Sequence, residues 1–307
     1  MKDPVQEYLD NYQKVFEEAS LRRERAAKVN EQAANLGADV IEKGARKLLM
    51  QNNVDIDELE RVNKQLSKRI QKRIDKIEEE LSHAPPNLEE VRRRRDMMMQ
   101  IAATPGVKDP CITPPPVAIF NDIPRPCEDG CRAEITNNAG LGRVYPVLIV
   151  RGTGWDHMHT GEVYCEYIWA FRTTTTGEYL INPFIEFHGR VVQTREHHCY
   201  TNTDGSGWDY QLTMGHAQPP DIPSPLFTDM EGSLPHVAGT FRYDGERTPN
   251  YMPFLYGGRL TFVHIGLRFT ASARSRHATT QLNFGDPGDE NFIGIHHFCW
   301  LPPGSWP

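Results

Sequence analysis

The feature that most constrains this chain is a seven-residue repeat carried through its first fifty or so residues. Val5, Tyr12, Ala19, Ala26, Ala33, Val40 and Lys47 mark one position of the repeat, and Tyr8, Val15, Arg22, Val29, Leu36, Lys43 and Met50 follow in step. A heptad kept this long, with mostly apolar or small residues on its seam, is a coiled-coil signature. It predicts one helix from Asp3 to about Gln51, roughly 73 Å long at about 1.5 Å per residue. The stripe is too narrow to bury the helix in a large core, so partner helices are its expected cover. Val5, Tyr12, Ala19, Ala26, Val29, Ala33, Leu36 and Val40 form the expected oligomer seam. Gly37 and Gly44 stand beside that seam, each costing about 1 kcal/mol against alanine in a helix. They are expected where a neighbouring backbone comes close.

Three helix starts carry explicit capping chemistry. Asp3-Pro4-Val5-Gln6 sets a cap, a proline at the first helical position and a capping-box partner. Asp55-Ile56-Asp57-Glu58 and Asn87-Leu88-Glu89-Glu90 repeat the cap-x-x-Glu pattern. Helices are therefore expected at 3–51, 56–82 and 87–103. In the second, Leu59, Val62, Leu66, Ile70, Ile74, Ile77 and Leu81 step by threes and fours, a rhythm for a straight bundle. Two layouts fit: a hairpin in which the later helices fold back along the first, or a continuous rod through residue 82.

Seven prolines between Pro105 and Pro126 suppress helix and central strand in 104–142, which reads as an extended connector. From Arg143 the period changes to two. Cys165, Tyr167, Trp169 and Phe171 make one alternating run; Val263, Ile265, Leu267 and Phe269 make another; Phe292, Gly294, His296, Phe298 and Trp300 make a third. Turn residues separate these runs and no helical pattern intervenes, so an antiparallel β-sandwich of jelly-roll type is expected. The fold class is thus α+β with its parts segregated: a helical stem over 1–103, a proline-rich connector over 104–142 and a sandwich head over 143–307. The stretch 215–235 reads as the longest loop of the head.

Charge and composition exclude several functions. Acidic and basic residues nearly balance in the first hundred or so positions, so the net charge of −7 falls mostly on the remainder. An acidic head does not grip nucleic acid, which needs clustered cations, and Arg92–Arg95 is flanked by acids as on a solvated helix face. No run is long and apolar enough to span a membrane. The charged, amphipathic N-terminus lacks the features of a signal peptide, so synthesis in the cytoplasm is expected, with incorporation into a virion or other particle as one destination. Cys127 and Cys131 form the one close pair of the six cysteines; free thiols, a local disulfide and half a zinc site are its readings.

Two constellations could carry chemistry. His157, His159 and Glu162 resemble the H-x-H-plus-carboxylate metal motif of cupins, although the glutamate comes earlier and no matching second half follows. If Thr160-Gly161 were a tight turn, His159 would face Glu162 and His157 would face Tyr164, a set able to hold a divalent metal. The second is Asp204, Trp208, Asp209 and Tyr210 at an expected loop tip, where aromatics beside acids suit a ligand such as a sugar ring or calcium. The doublets His197-His198 and His296-His297 point to opposite faces of any strand and cannot chelate as units. Nucleophile elbow, P-loop, dinucleotide fingerprint and HExxH are all missing, so no catalytic residue is assigned.

The expected function is structural and adhesive: a homo-oligomeric, trimeric appendage or virion-type fibre protein that needs no cofactor and presents its head to a protein or glycan receptor. A metal-dependent enzyme with a double-stranded β-helix head is the first alternative. A self-assembling filament or shell subunit is the second.

Overall fold

In the computed structural model the described residues are 3–36, 38–58, 61, 62, 65, 69, 72, 76, 115–125, 131–152, 157–194, 207–219, 227–233, 239–274, 278–285 and 291–304. Helix α1 (Pro4–Asn35) starts where its sequence dictates. The Asp3 carboxylate accepts the Val5 N–H at 3.1 Å, and Pro4 stands where a missing N–H is harmless. Gln6 donates forward to Asp10 at 2.8 Å instead of back to the cap, so only half of the expected capping box forms.

The single long helix expected over 3–51 is divided. α1 ends at Asn35, and α2 (Ala38–Gln51) begins after Leu36 and Gly37. α2 stops on a left-handed Asn53 with φ of 56°. The Val54 N–H reaches the Leu49 carbonyl at 3.0 Å and the Asn53 N–H reaches Met50 at 3.1 Å, the paired bonds of a Schellman stop. A fresh cap follows at once, with the Glu58 N–H donating to Asp55 at 3.0 Å. A continuous rod is therefore interrupted at Asn53. The expected helices over 56–82 and 87–103 lie largely outside the described residues. A Cβ built on Gly44 meets nothing within 4 Å, so no described part of this chain makes the close approach that the glycine suggests.

The described residues from 115 onward are mostly antiparallel sheet. Its strands are β1 (Ala118–Arg125), β2 (Arg132–Asn138), β3 (Arg143–Arg151), β4 (Met158–Arg172), β5 (Gly177–Glu178), β6 (Leu180–Thr194), β7 (Gly207–Ala217), β8 (Phe227–Ser233), β9 (Gly239–Arg247), β10 (Phe254–Leu255), β11 (Leu260–Arg274), β12 (Thr279–Asn283) and β13 (Phe292–Leu301). The first sheet runs β1-β4-β11-β7-β8. In the second, β12 and β13 lie end to end between β3 and β6, with β2 added beyond β3 and β9 beyond β6. The pair β5–β10 forms a small third ladder.

Two stretches expected to lie outside the sheets contribute strands to them. The connector contributes β1 and β2, which the sequence reading left without strands; both sit at sheet margins, where Pro124 leaves no central ladder bond unmade. The stretch 215–235 holds the end of β7 and all of β8.

One core joins the two large sheets. Trp169 on β4 stacks on Phe298 of β13 with centroids 4.8 Å apart, and Phe187 of β6 meets Phe269 of β11 at 6.3 Å. The inward row Cys165, Tyr167, Trp169 predicted from alternation lies in this core. Burial shows which strands are covered twice. β3 alternates buried and half-buried, as expected of a strand with one dry face, whereas β4 is buried at every residue from Gly161 to Trp169. The second cover is α1.

Candidate functional site

Helix α1 lies on the outer face of the first sheet, and a small aromatic core joins them. Tyr12 and Phe16 are buried against Tyr164, Ile168 and Phe262, with Val5, Tyr8 and Leu9 packed alongside. Tyr8 stacks on Phe262 at 3.7 Å between ring centroids. Alternation on β4 puts Glu166 opposite the apolar row, on the face that would be solvated in a bare sheet; beneath α1 it is 1% exposed.

An isolated buried carboxylate is costly, and three side chains bond to this one while a fourth backs one of them. His264 of β11 meets Glu166 Oε1 through Nδ1 at 2.6 Å, and the Tyr12 hydroxyl donates to the same oxygen at 2.5 Å. The Tyr164 hydroxyl donates to Oε2 at 2.9 Å, and the Tyr8 hydroxyl meets His264 Nε2 at 2.8 Å. Burial alone would raise the Glu166 pKa, but the His264 bond and charge and the two tyrosine hydroxyls hold it below the ordinary carboxylate value. Burial, followed by the Glu166 charge, pushes the Tyr8 and Tyr12 hydroxyls far up, so both remain protonated donors. Gly266 makes the arrangement possible. A Cβ there would come within 2.5 Å of the Tyr164 hydroxyl and the Thr213 hydroxyl.

Further along α1, Arg23 donates to Asp122 of β1 through both Nε (3.1 Å) and a terminal nitrogen (2.8 Å), while its guanidinium lies over the Tyr164 ring at 4.2 Å. Ser20 donates to the other Asp122 oxygen at 2.6 Å. At the end of α1, Asn35 imitates a strand partner, donating to the Met158 carbonyl at 3.0 Å and accepting its N–H at 2.8 Å.

Between Arg23 and Asn35 the helix does not fill the space above the sheet. A cleft of about 260 Å³ opens there, roofed by Ala27, Asn30 and Glu31 of α1. Its floor is one row across three strands. Thr270 of β11 pairs with Glu162 of β4 on one side and with Asp209 of β7 on the other, so all three side chains share a face. Arg268 stands two residues back on the same face and donates to Glu162 Oε2 at 2.6 Å. Glu162 is 3% exposed, and its Oε1 is buried without a hydrogen-bond partner, as is Nε of Arg268.

Several expected residues are displaced by this geometry. No turn forms at Thr160-Gly161, because β4 runs through it unbroken in register with β11. His159 and Glu162 therefore take opposite faces of one strand, and His157 precedes it, so the proposed metal set does not converge. Among the described residues no group of three or more His, Cys, Asp or Glu is placed to hold a metal ion. Trp208 and Tyr210 are core residues of β7, 1% and 5% exposed, and not a loop-tip platform. Asp209 between them faces the other way, into the cleft, while Asp204 lies outside the described residues, as do His197-His198 and the side chains of His296-His297. Cys131 is not in a disulfide, whereas Cys299 is.

The expected oligomer seam splits in two. Val5 and Tyr12 pack on this chain's own sheet, and Ala19 is half-buried. Ala26 and Ala33 are exposed, and Val29, Leu36 and Val40 are 62%, 84% and 72% exposed. The sheet-facing row runs Tyr8, Tyr12, Phe16, Ser20, Arg23, Ala27, Glu31, Asn35, mostly in steps of four. A straight helix drifts about 20° per heptad from a seven-residue repeat, and this row steps more widely still. The two stripes coincide at Tyr8 and Tyr12 and have parted by Val29.

No helix among the described residues is long and apolar enough to cross a membrane. No protein-family model matches the sequence, and no curated protein matches it. Solved structures align loosely. The enzymatically active domain of tailspike protein 4 from bacteriophage CBA120 aligns at 6% identity and a TM-score of 0.23, over 58% of this chain and 19% of that one. TmCBM61 in complex with beta-1,4-galactotriose aligns at 8% and 0.22, over 63% and 99%. A CBM4 structure aligns at 10% and 0.18, over 49% and 78%. The chain thus spans about a fifth of the tailspike domain's length. Likenesses at these TM-scores carry no argument about function.

Proposed function

We propose that this is a homo-oligomeric display protein whose two facing sheets form a jelly-roll-like β-sandwich head carried on a helical stem. One observation carries the reading. The same α1–α2 helical segment that is fastened to its own sheet through Tyr8, Tyr12 and Arg23 leaves Val29, Leu36, Val40, Leu48 and Met50 each more than 60% exposed. Val29, Leu36 and Met50 fall on one position of the heptad, so second copies of the same helix are the partner whose spacing fits. Association through this stripe would also supply the neighbour that Gly44 lacks among the described residues. A trimer is the assembly to test, with the heads free to engage a protein or glycan receptor and gaining avidity from being linked.

The test is light scattering on the intact protein at micromolar concentration. The wild type is expected as a multimer, and Ala33→Glu with Val40→Glu as a monomer, because charges buried without partners cost several kcal/mol each. A monomeric wild type overturns the proposal.

A further inference from the structure

We propose that Met252, Phe254 and Tyr256, a row exposed at the end of the head away from the stem, form a stacking platform for the sugar rings of a neutral oligosaccharide. The place of the row follows from strand register. Tyr8 of α1 stacks on Phe262, which pairs with Ala170 near the end of β4, while Asn35 bonds to Met158 at its start. α1 therefore runs back along β4, and α2 begins beyond the Met158 end. Arg172, the last of the 15 residues of β4, lies roughly 45 Å from that end at about 3.3 Å per residue. The segment 252–259 is fastened there. The Thr173 N–H donates to the Arg259 carbonyl at 3.0 Å, and the Gly258 N–H donates to the Thr173 carbonyl at 2.8 Å. On a stem-borne head this end is the one free to meet a target.

The backbone of the row is held rigidly while its side chains are left out. Buried Gln218 acts as a strand partner for Tyr256, accepting its N–H at 2.9 Å and donating to its carbonyl at 3.0 Å. The Thr173 hydroxyl donates to the same carbonyl at 2.6 Å, and the Thr176 hydroxyl accepts the Gly257 N–H at 2.9 Å. Pro253 and Leu255 are buried, whereas Met252, Phe254 and Tyr256 alternate with them and are each at least half exposed. A surface fixed in advance binds without an ordering cost.

Size and chemistry select the occupant. A buried aromatic side chain covers about 150–250 Å², so three large side chains at half exposure present on the order of 300 Å². That is well short of the about 800 Å² per partner of a stable protein interface. It suits one or two sugar rings, whose C–H sides are attracted to the electron-rich faces of Phe and Tyr. The two rings meet at 80° with centroids 5.7 Å apart, so they fit a chain that turns and not a flat polymer surface. Hydrogen-bonding groups flank them: Glu178 pairs opposite Phe254, and Arg259 lies over the Tyr256 ring at 4.8 Å. One acid and one base give no net charge to select an ion, which points to a neutral sugar.

The inference rests on the display reading for its geometry but not for its chemistry, so a monomeric wild type that still binds sugar would sink that reading alone. The experiment is saturation-transfer NMR of the full chain with cellohexaose, maltohexaose, mannohexaose and chitohexaose. At least one is expected to bind in the millimolar range or tighter. Phe254→Ala and Tyr256→Ala should each weaken that binding by about tenfold, or about 1.4 kcal/mol, while Phe254→Tyr keeps the ring and the binding. Both positions are exposed, so the thermal transition of each variant should match the wild type. The mass of Phe254→Ala with Tyr256→Ala by light scattering should also be that of the wild type. Silence of all four sugars, or binding that survives in the double variant, would overturn the proposal. A smaller mass for the double variant would equally overturn it, by making the row a contact between copies.

Discussion

Two stretches of one helical segment share a repeat and meet different fates. From Val5 to Phe16 the chain spends Val5, Tyr8, Leu9, Tyr12 and Phe16 on its own sheet, and buries Glu166 and His264 in doing so, while Val15 and Leu21 stay about half exposed. From Val29 to Met50 equally apolar residues stay bare. A heptad pattern therefore says that a helix has a narrow apolar stripe, and says nothing of whether a sheet or a second helix covers it. The distinction is made by side-chain size. Tyr8, Tyr12 and Phe16 are large enough to reach into a sheet and bring hydroxyls to a buried acid, whereas Ala26, Ala33 and Val40 suit close helix contacts.

The comparison can be broken first from the sheet side. Glu166→Ala strips the partner from His264 and from the Tyr12 and Tyr164 hydroxyls at once, and removing one member of a buried charged cluster typically costs about 3–5 kcal/mol. Denaturant unfolding should show a loss of that size, with the aromatic core under α1 melting first. Trp208→Ala should cost a similar 3–5 kcal/mol, as expected for truncating a core tryptophan; a normal unfolding curve would return that residue to a surface role. Tyr12→Phe is milder. It removes one bond to a charged acceptor, worth about 1.5–3 kcal/mol, and keeps the ring packing.

Acid should act on the same half of the segment. The Glu166 carboxyl titrates lower in the fold than in the unfolded chain. Its contribution is therefore fully present above the unfolded value of about 4.3 and is lost as pH falls through the folded value. Thermal stability of the wild type should drop across that acid window, and Glu166→Gln should flatten the drop. The smallest effect belongs to the bare half. Ala33→Glu with Val40→Glu should change the unfolding free energy of a dissociated chain by less than about 0.5 kcal/mol, as exposed sites do, while abolishing assembly.

Much of this was legible in the residues. Capping at Asp3 and Asp55 and the inward row Cys165, Tyr167, Trp169 follow from local chemistry and period. The signal for Trp208 was also present, since Trp208, Tyr210, Leu212 and Met214 alternate as an inward row, but the glycines ahead of them suggested a loop tip. The cover over Glu166 was not legible. Period two fixes which face a residue takes, and only the tertiary arrival of α1 turns that face dry. The cleft was half legible: Glu162 and Asp209 stood out in separate motifs, yet the pairing of Glu162 with Arg268 joins positions 106 residues apart. Arg268 had one hint, as the charged residue facing out from the apolar run Val263, Ile265, Leu267, Phe269.

The central claim is that one helical segment serves two partners, its own sheet and other copies of itself. Oxidative footprinting of the intact protein tests it with an internal standard. In the single chain Met50 on the heptad stripe is 65% exposed and Met252 on the head is 58% exposed, so the two should oxidise at similar rates if nothing else covers them. Assembly through the stripe predicts that Met50 is strongly protected relative to Met252, and that the protection vanishes in Ala33→Glu with Val40→Glu. Oxidation of Met50 as fast as Met252 in the wild type, at a concentration where the protein is fully folded, would contradict the account.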